Sequence, residues 1–425
     1  MKISQIKKAV ENGSFDKYFL DQYIDENVIG AEKARYKEIL DEYMSANGDK
    51  DVKIVASPGR TEIGGNHTDH QHGRVLAGAI NSDITAVCEK TDDGIISIKS
   101  DSLVLKPIDT ADTEVKESEK GTSEALIRGV VHKLKSQGYK IGGFRAICRS
   151  EVLVGSGLSS SAAFENLAGG IISCLYNEDK IPAPVIAKAS QYAEREFYGK
   201  PCGLMDQMAS AVGGLVGIDF NDPENPVIEE IDFDLSKHGY SLCITDTKDS
   251  HEDLTHEYAA IVEEMAEICK YYGKEFLRDV KEEDFYRDIP VLREKAGDRA
   301  VLRAIHFFEE NNRAAKEAEF VRNGNFEGFK KEFISSGNSS FKFLQNVYSG
   351  SKPSAQGLSL ALALSEKVLC DNGFARVHGG GFAGTIQAFV KKEYVNKYKE
   401  TMDHVFGQGS CHVYQIKNGN YRMDI

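Results

Sequence analysis

The chain has 425 residues, 41% hydrophobic and 28% charged, which excludes a largely disordered or fibrous protein and predicts two or three domains at roughly 100–200 residues each. Acidic residues outnumber basic ones 66 to 52, a net charge of −14, so backbone phosphates would be repelled by the average surface and a non-specific nucleic-acid or anionic-membrane binder is not expected. No apolar run approaches the about 20 residues of a membrane span, and the opening MKISQIKKAVENGSFDKYF lacks an apolar core and a small-residue cleavage site, so a cytoplasmic chain without a secretory signal is expected.

Residues 1–50 read as helix, with apolar side chains at helical spacing in Lys37–Met44. Asp51–Ala56 predicts a short strand that stops at Pro58–Gly59. Val75–Cys88 and Gly94–Lys99 read as paired strands around a turn at Asp92–Gly94. Residues 101–122 are polar and irregular. Ser123–Gln137 predicts a helix closed by Gly138, and Phe144–Cys148 a strand. A glycine- and serine-rich turn at 155–161 leads into a helix whose apolar face includes Ala162, Ala163, Leu167, Ile171 and Ile172. Ala183–Phe197 and Met205–Val212 are further helices, with Gly213–Gly214 as a break. In the second half, Leu215–Phe220, Leu242–Thr245, Phe374–His378, Thr385–Val390 and His412–Ile416 predict strands. Leu254–Tyr272, most of 280–345, Gln356–Asn372 and Tyr394–Val405 predict helices. Strands and helices in both halves give an α+β class, with a boundary near 215. The eight cysteines are scattered singly with no CxxC, the pattern of buried, reduced thiols.

Four segments concentrate chemistry. Ser57–Gly73, SPGRTEIGGNHTDHQHG, packs one Arg, one Glu, one Asn, one Asp and three His into a glycine-rich turn, where function gathers. The spacing of His67, His70 and His72 suits neither one helix face nor a zinc finger. In Gly155–Ala163, GSGLSSSAA, glycines admit close approach of an anion, and the N–H groups and positive helix end can bind phosphate. It is neither a Walker A loop nor a dinucleotide fingerprint, because the Gly-Lys-Ser/Thr ending and the third glycine are missing. HGGGFAGT, His378–Thr385, carries four glycines in six residues. KPCGLMDQMAS, Lys200–Ser210, places Asp206 after a glycine.

Taken in this order, PGRTEIGGNHTDH, GLSSSAA, CGLMDQ and ARVHGGGFAG resemble the galactokinase branch of the GHMP sugar and metabolite kinases. DTKDSHEDLTHEY at 246–258 is similar to the family's stretch ending in a sugar-contacting Tyr. The resemblance spans about residues 52–390 and implies an α+β fold: an N-terminal domain like a ribosomal S5 domain, here 1–215 with 1–50 as a helical extension, and a ferredoxin-like domain, 216–425. The active site would lie in the cleft between them. The implied reaction is ATP-dependent phosphorylation of D-galactose at the anomeric O1, giving α-D-galactose 1-phosphate and ADP.

Roles follow by matching position. Asp206 would be the catalytic acid residue and Arg60 its partner. Gly155, Ser156, Gly157, Leu158, Ser159, Ser160 and Ser161 would cradle ATP, with Ser161 and Glu165 toward Mg²⁺. Asp69 would take two sugar hydroxyls; Asn66, His67, Gly203 and Tyr258 would line the same pocket. Gly380, Gly381 and Gly384 would bring the C-terminal backbone close to it. The family implies a monomer whose partner is a small sugar. It also admits two alternatives: a kinase for a related sugar such as galacturonate, and a sensor that binds galactose and ATP without turnover. The first gains weight from Asn66, which stands where galactokinases have a Glu facing the sugar's 6-hydroxyl, and from Asp-His-Gln at 69–71. A carboxylate at C6 would be repelled by Glu, tolerated by Asn and attracted by a protonated His.

Overall fold

The computed structural model describes residues 1–23, 28–153, 157–200, 202–249 and 254–417, with Thr255 and 422–423 by backbone alone. Three helices open the chain: α1 (Ile3–Glu11), α2 (Asp16–Tyr23) and α3 (Ile29–Asn47). A first sheet follows. Its strands are β1 (Lys53–Gly64), β2 (Arg74–Lys90), β3 (Ile95–Ser100), β4 (Leu103–Val104), β5 (Ile108–Asp109), β6 (Phe144–Ser150), β7 (Leu215–Asp219) and β8 (Val227–Ile231). Packed among them are α4 (Ser123–Ser136), α5 (Ser160–Tyr176), α6 (Ala183–Tyr192) and α7 (Met205–Val212). A second, four-stranded antiparallel sheet contains β9 (Tyr240–Asp246), β10 (Gly373–Val377), β11 (Thr385–Lys391) and β12 (Cys411–Tyr414), in the order β10-β11-β9-β12. It is accompanied by α8 (Thr255–Tyr271), α9 (Glu282–Lys295), α10 (Asp298–Arg322), α11 (Phe326–Ser339), α12 (Gly357–Leu369) and α13 (Val395–Phe406). A last short strand, β13 (Arg422–Met423), returns to pair with β1.

Strand alternation explains the layers. Ile54, Val87 and Ile147 face α1–α3, whereas Val55, Ala86, Cys88 and Cys148 face the layer of α4, α5 and α6. The first sheet is therefore covered on both faces, and β1 is buried along almost its whole length. The N-terminal helices are that cover: Ile3, Ile6, Phe19, Tyr36, Ile39 and Leu40 are all fully buried, each stabilising by about 1.5–3 kcal/mol relative to exposure. A buried ion pair fastens them, since Arg35 reaches Asp83 of β2 at 2.9 Å and the Tyr23 hydroxyl donates to the other oxygen of that carboxylate, also at 2.9 Å.

The structure corrects three readings. β2 and β3 are not paired: β6 lies between them, antiparallel to β2 and parallel to β3, with α4 as the crossover. β1 does not stop at Pro58–Gly59 but runs on to Gly64 through bulges at Pro58/Arg60 and Glu62/Gly64; a bulge is where a strand tolerates proline. β7 and β8 extend the first sheet, so the chain crosses to the second sheet only after Ile231. Of the cysteines, Cys88, Cys148, Cys243, Cys269 and Cys411 are buried, but Cys370 is exposed. No helix among the described residues is long and apolar enough to cross a membrane.

Candidate active site

The bulged end of β1 meets the start of α5. Gly59 has no room for a side chain, because a Cβ there would lie 2.9 Å from the Leu158 carbonyl, and the Arg60 N–H donates to that carbonyl at 3.1 Å. The Arg60 guanidinium, nearly buried, donates to Asp206 Oδ1 from Nε at 2.7 Å and lies 2.6 Å from it through Nη2; its Nη1 donates to the Gly157 carbonyl. Ser159 Oγ donates to the other oxygen, Asp206 Oδ2, at 2.5 Å. Asp206 sits in the first turn of α7, where the helix dipole favours a carboxylate, and a third of its side chain remains exposed. Ser159 takes a left-handed φ of +59° as the residue before α5, and Gly157 one of +74°. Gly155 and Ser156 lie outside the described residues.

Ser160 and Ser161 open α5, with Ala162 and Ala163 fully buried behind them. Ser161 Oγ lies 3.4 Å from Glu194 Oε1, which also accepts from Lys200 Nζ at 2.9 Å; Gln207 Nε2 donates to Glu194 Oε2 at 2.7 Å. Glu165 is not the carboxylate beside Ser161. One turn into α5 it is fully buried, neither oxygen has a hydrogen-bond partner among the described residues, and burial followed by the charge of Glu194 pushes its pKa well up. A groove of about 400 Å³ runs along Ser160, Ser161, Glu194 and Lys200, with Ile84, Leu103, Leu126, Phe164 and Tyr198 as its apolar side. Its volume lies in the usual range for a small-molecule site. Residues 100–101, 103 and 121 reach it, so the irregular stretch does border this groove.

Asp69 begins a short turn after β1, and its Oδ1 accepts from the His70 N–H at 2.8 Å. A Cβ on Gly203 would stand 1.6 Å from Asp69 Oδ2, so any side chain there would displace the Asp69 carboxylate. Burial, reinforced by the negative charge of Asp206, raises the Asp69 pKa to about 6, which places the two carboxylates in one electrostatic environment. His67 Nε2–H donates to the Gly380 carbonyl at 3.0 Å, and the Tyr258 hydroxyl donates to the Gly381 carbonyl at 2.8 Å. Gly380 lies against the Tyr258 ring, and Gly381 and Gly384 have φ of +81° and +89°. Part of the 246–258 stretch, 250–253, lies outside the described residues.

Two expectations fail here. Burial lowers the His67 pKa to about 4 and that of His70 to about 3, so neither ring is the cation imagined beside C6. His72 instead stacks on Phe276, centroids 3.6 Å apart. Asn66 is also not free to read a substrate. It is fully buried, its Nδ2 donates to Glu62 Oε1 at 3.0 Å and to the Gly379 carbonyl at 2.7 Å, and its Oδ1 accepts from Asn346 Nδ2 at 2.9 Å and Ser340 Oγ at 3.2 Å. An amide has two N–H donors and two lone pairs, and all are used.

Glu194 and Asn346 were not singled out by the sequence. Glu194 lies among other acids in a helical run, and Asn346 in an irregular one, so only the fold distinguishes them.

The model of the GHMP kinases N terminal domain matches residues 125–214, and that of the galactokinase galactose-binding signature matches 41–90. A galactokinase from Thermotoga petrophila is 32% identical over 349 residues, covering 82% of this chain and 92% of its own. One from Clostridium tetani is 26% identical over 396 residues, covering 91% and 95%. Among solved structures, Lactococcus lactis galactokinase complexed with galactose matches with a TM-score of 0.77 at 23% identity, over 90% of this chain and 98% of that one. The mevalonate kinase of Methanococcus jannaschii matches with a TM-score of 0.61 at 16% identity, over 87% and 99%.

Proposed function

The chain belongs to the galactokinase family of the GHMP kinases, and from that premise we propose that it transfers the γ-phosphoryl group of ATP to the anomeric O1 of D-galactose. The products are α-D-galactose 1-phosphate and ADP. The observation that carries this reading is the junction of Arg60, Asp206 and Ser159 at the start of α5, with Asp69 in the same electrostatic environment.

Phosphoryl transfer needs an aligned nucleophile and neutralised charge more than covalent chemistry. Asp206 accepts a hydrogen bond from the sugar O1 hydroxyl, orients it and takes its proton as the O–P bond forms. Arg60 holds the Asp206 carboxylate in place through its ion pair and offsets charge on the transferring group. Residues 155–161 cradle the ATP phosphates, aided by the positive end of α5. The groove beside Phe164 and Tyr198 receives the nucleotide's apolar part. Asp69, with Gly203 against it, takes two sugar hydroxyls; His67 and Tyr258 shape the pocket through Gly380 and Gly381.

The residues at α5 suit a magnesium ion. The Ser161 hydroxyl and Glu194 carboxylate are hard oxygen donors beside each other, and they, rather than Glu165, would hold it. Bound there, Mg²⁺ would screen the charge of the ATP phosphates. All these groups come from one chain, so the proposed chemistry needs no second subunit, and we propose that the protein acts as a monomer. We place the N-terminal domain at 1–231, the extent of the first sheet short of β13, and the protein in the cytoplasm, where its thiols stay reduced.

The test is a panel of galactose, galacturonate, N-acetylgalactosamine, glucose and arabinose with Mg²⁺-ATP, read by ADP release, with ³¹P NMR of the product. The proposal requires the highest kcat/KM on galactose and an anomeric phosphate. Tight galactose binding without ADP release would instead make it a sensor.

A further inference from the structure

We infer that Asn346 is a positioning residue for the sugar pocket: paired with Asn66, it holds the carbonyl side of the 379–381 turn, so position 66 shapes the pocket through that turn and does not read the substrate's C6. The inference rests on the reading above that this cleft binds the sugar.

Three consecutive carbonyls of the turn are each held. Gly379 accepts from Asn66 Nδ2 at 2.7 Å. Gly380 accepts from Asn346 Nδ2 at 3.1 Å and from His67 at 3.0 Å. Gly381 accepts from the Tyr258 hydroxyl at 2.8 Å. The two side-chain amides are joined, since Asn346 Nδ2 also donates to Asn66 Oδ1 at 2.9 Å, and separately the Asn346 main-chain carbonyl accepts from the Phe382 N–H at 2.5 Å. Both asparagines are fully buried. Contact is close enough to dictate sequence on the other side: a Cβ on Gly381 would lie 2.0 Å from the Asn346 carbonyl oxygen.

The same geometry explains why residue 66 is an amide. Its Nδ2 faces the Glu62 carboxylate, which is buried and paired with Arg376. A carboxylate at 66 would set a second negative charge against Glu62 and leave Gly379 without its donor. The main chain of residue 66 is also anchored, its carbonyl accepting from His306 Nε2 at 2.9 Å. Asn66 thus joins the segment that runs from Arg60 on β1 to Asp69 in the following turn to the turn of the other sheet, and Asn346 completes the joint.

The experiment compares wild type with Asn346→Ala, and with Asn346→Asp, which keeps the shape but removes the donor, should the first fail to fold. Steady-state KM for galactose is expected to rise at least tenfold, with KM for ATP within twofold. Hydrogen exchange of the 379–384 amides, measured without any sugar, is expected to accelerate at least tenfold. A double-mutant cycle with Asn66→Ala should be non-additive. A galactose KM within twofold of wild type together with unchanged exchange overturns the inference. If wild type turns over no sugar, the preceding proposal fails, and the exchange measurement alone decides this one.

Discussion

Arg60 and Asn66 lie six residues apart in one motif, and the structure uses them in opposite ways. Arg60 ends in a corner where its partner Asp206 keeps a third of its side chain exposed, open to a reactant. Asn66 ends in a fully buried knot with every donor and acceptor occupied by protein. A hydrogen-bond inventory separates a pair left partly open from a side chain whose every donor and acceptor is taken by protein, which motif position does not. The comparison also moves substrate choice away from residue 66. With His67 and His70 neutral, Asn66 satisfied and Arg60 paired with Asp206, none of these four side chains offers a free charge to a C6 carboxylate.

The corner can be broken hardest. Asp206→Ala is expected to lower kcat by roughly a thousandfold, about 4 kcal/mol of barrier, while calorimetry still detects galactose binding. A kcat within tenfold of wild type would remove Asp206 from the chemistry. The phosphate side comes next. Glu194→Gln should raise the Mg²⁺ concentration for half-maximal rate by about tenfold, since it removes a hard carboxylate donor beside Ser161, whereas Glu165→Gln, at a fully buried carboxyl away from Ser161 whose pKa burial pushes well up, should change it little. Equal effects would restore Glu165 as a ligand. The smallest effect is a pH profile. The Asp69 pKa is raised to about 6, so the carboxyl is ionised above that value and gains a proton as pH falls through it, losing acceptor capacity. The kcat/KM for galactose should therefore decline on the acid side with a midpoint near 6, while kcat/KM for ATP at saturating galactose should be flatter.

How much of this was legible in sequence differs between the same two regions. Met205–Val212 was expected as a helix and is one, because its apolar spacing is local information. Arg60, Ser159 and Asp206 each stand in a motif, but that they meet, and at what distances, only the fold shows. Partnerships between distant segments were not. Asp92–Gly94 reads as a hairpin turn, yet β3 turns to β6, some 45 residues on, because the α4 crossover returns a parallel strand that no local turn encodes. Pro58–Gly59 reads as a stop, yet partners on β2 carry β1 across it. Glu194 and Asn346 carry no motif, and their contacts arise only where α5 and the 379–381 turn come to meet them.

The most direct measurement of the account sets galactose against galacturonate, as a ratio of kcat/KM, in wild type and Asn66→Glu side by side. The account predicts that wild type prefers galactose, and that Asn66→Glu lowers both values by similar factors because it damages the turn rather than a contact to C6. A wild type that prefers galacturonate, with Asn66→Glu inverting the preference, would contradict it.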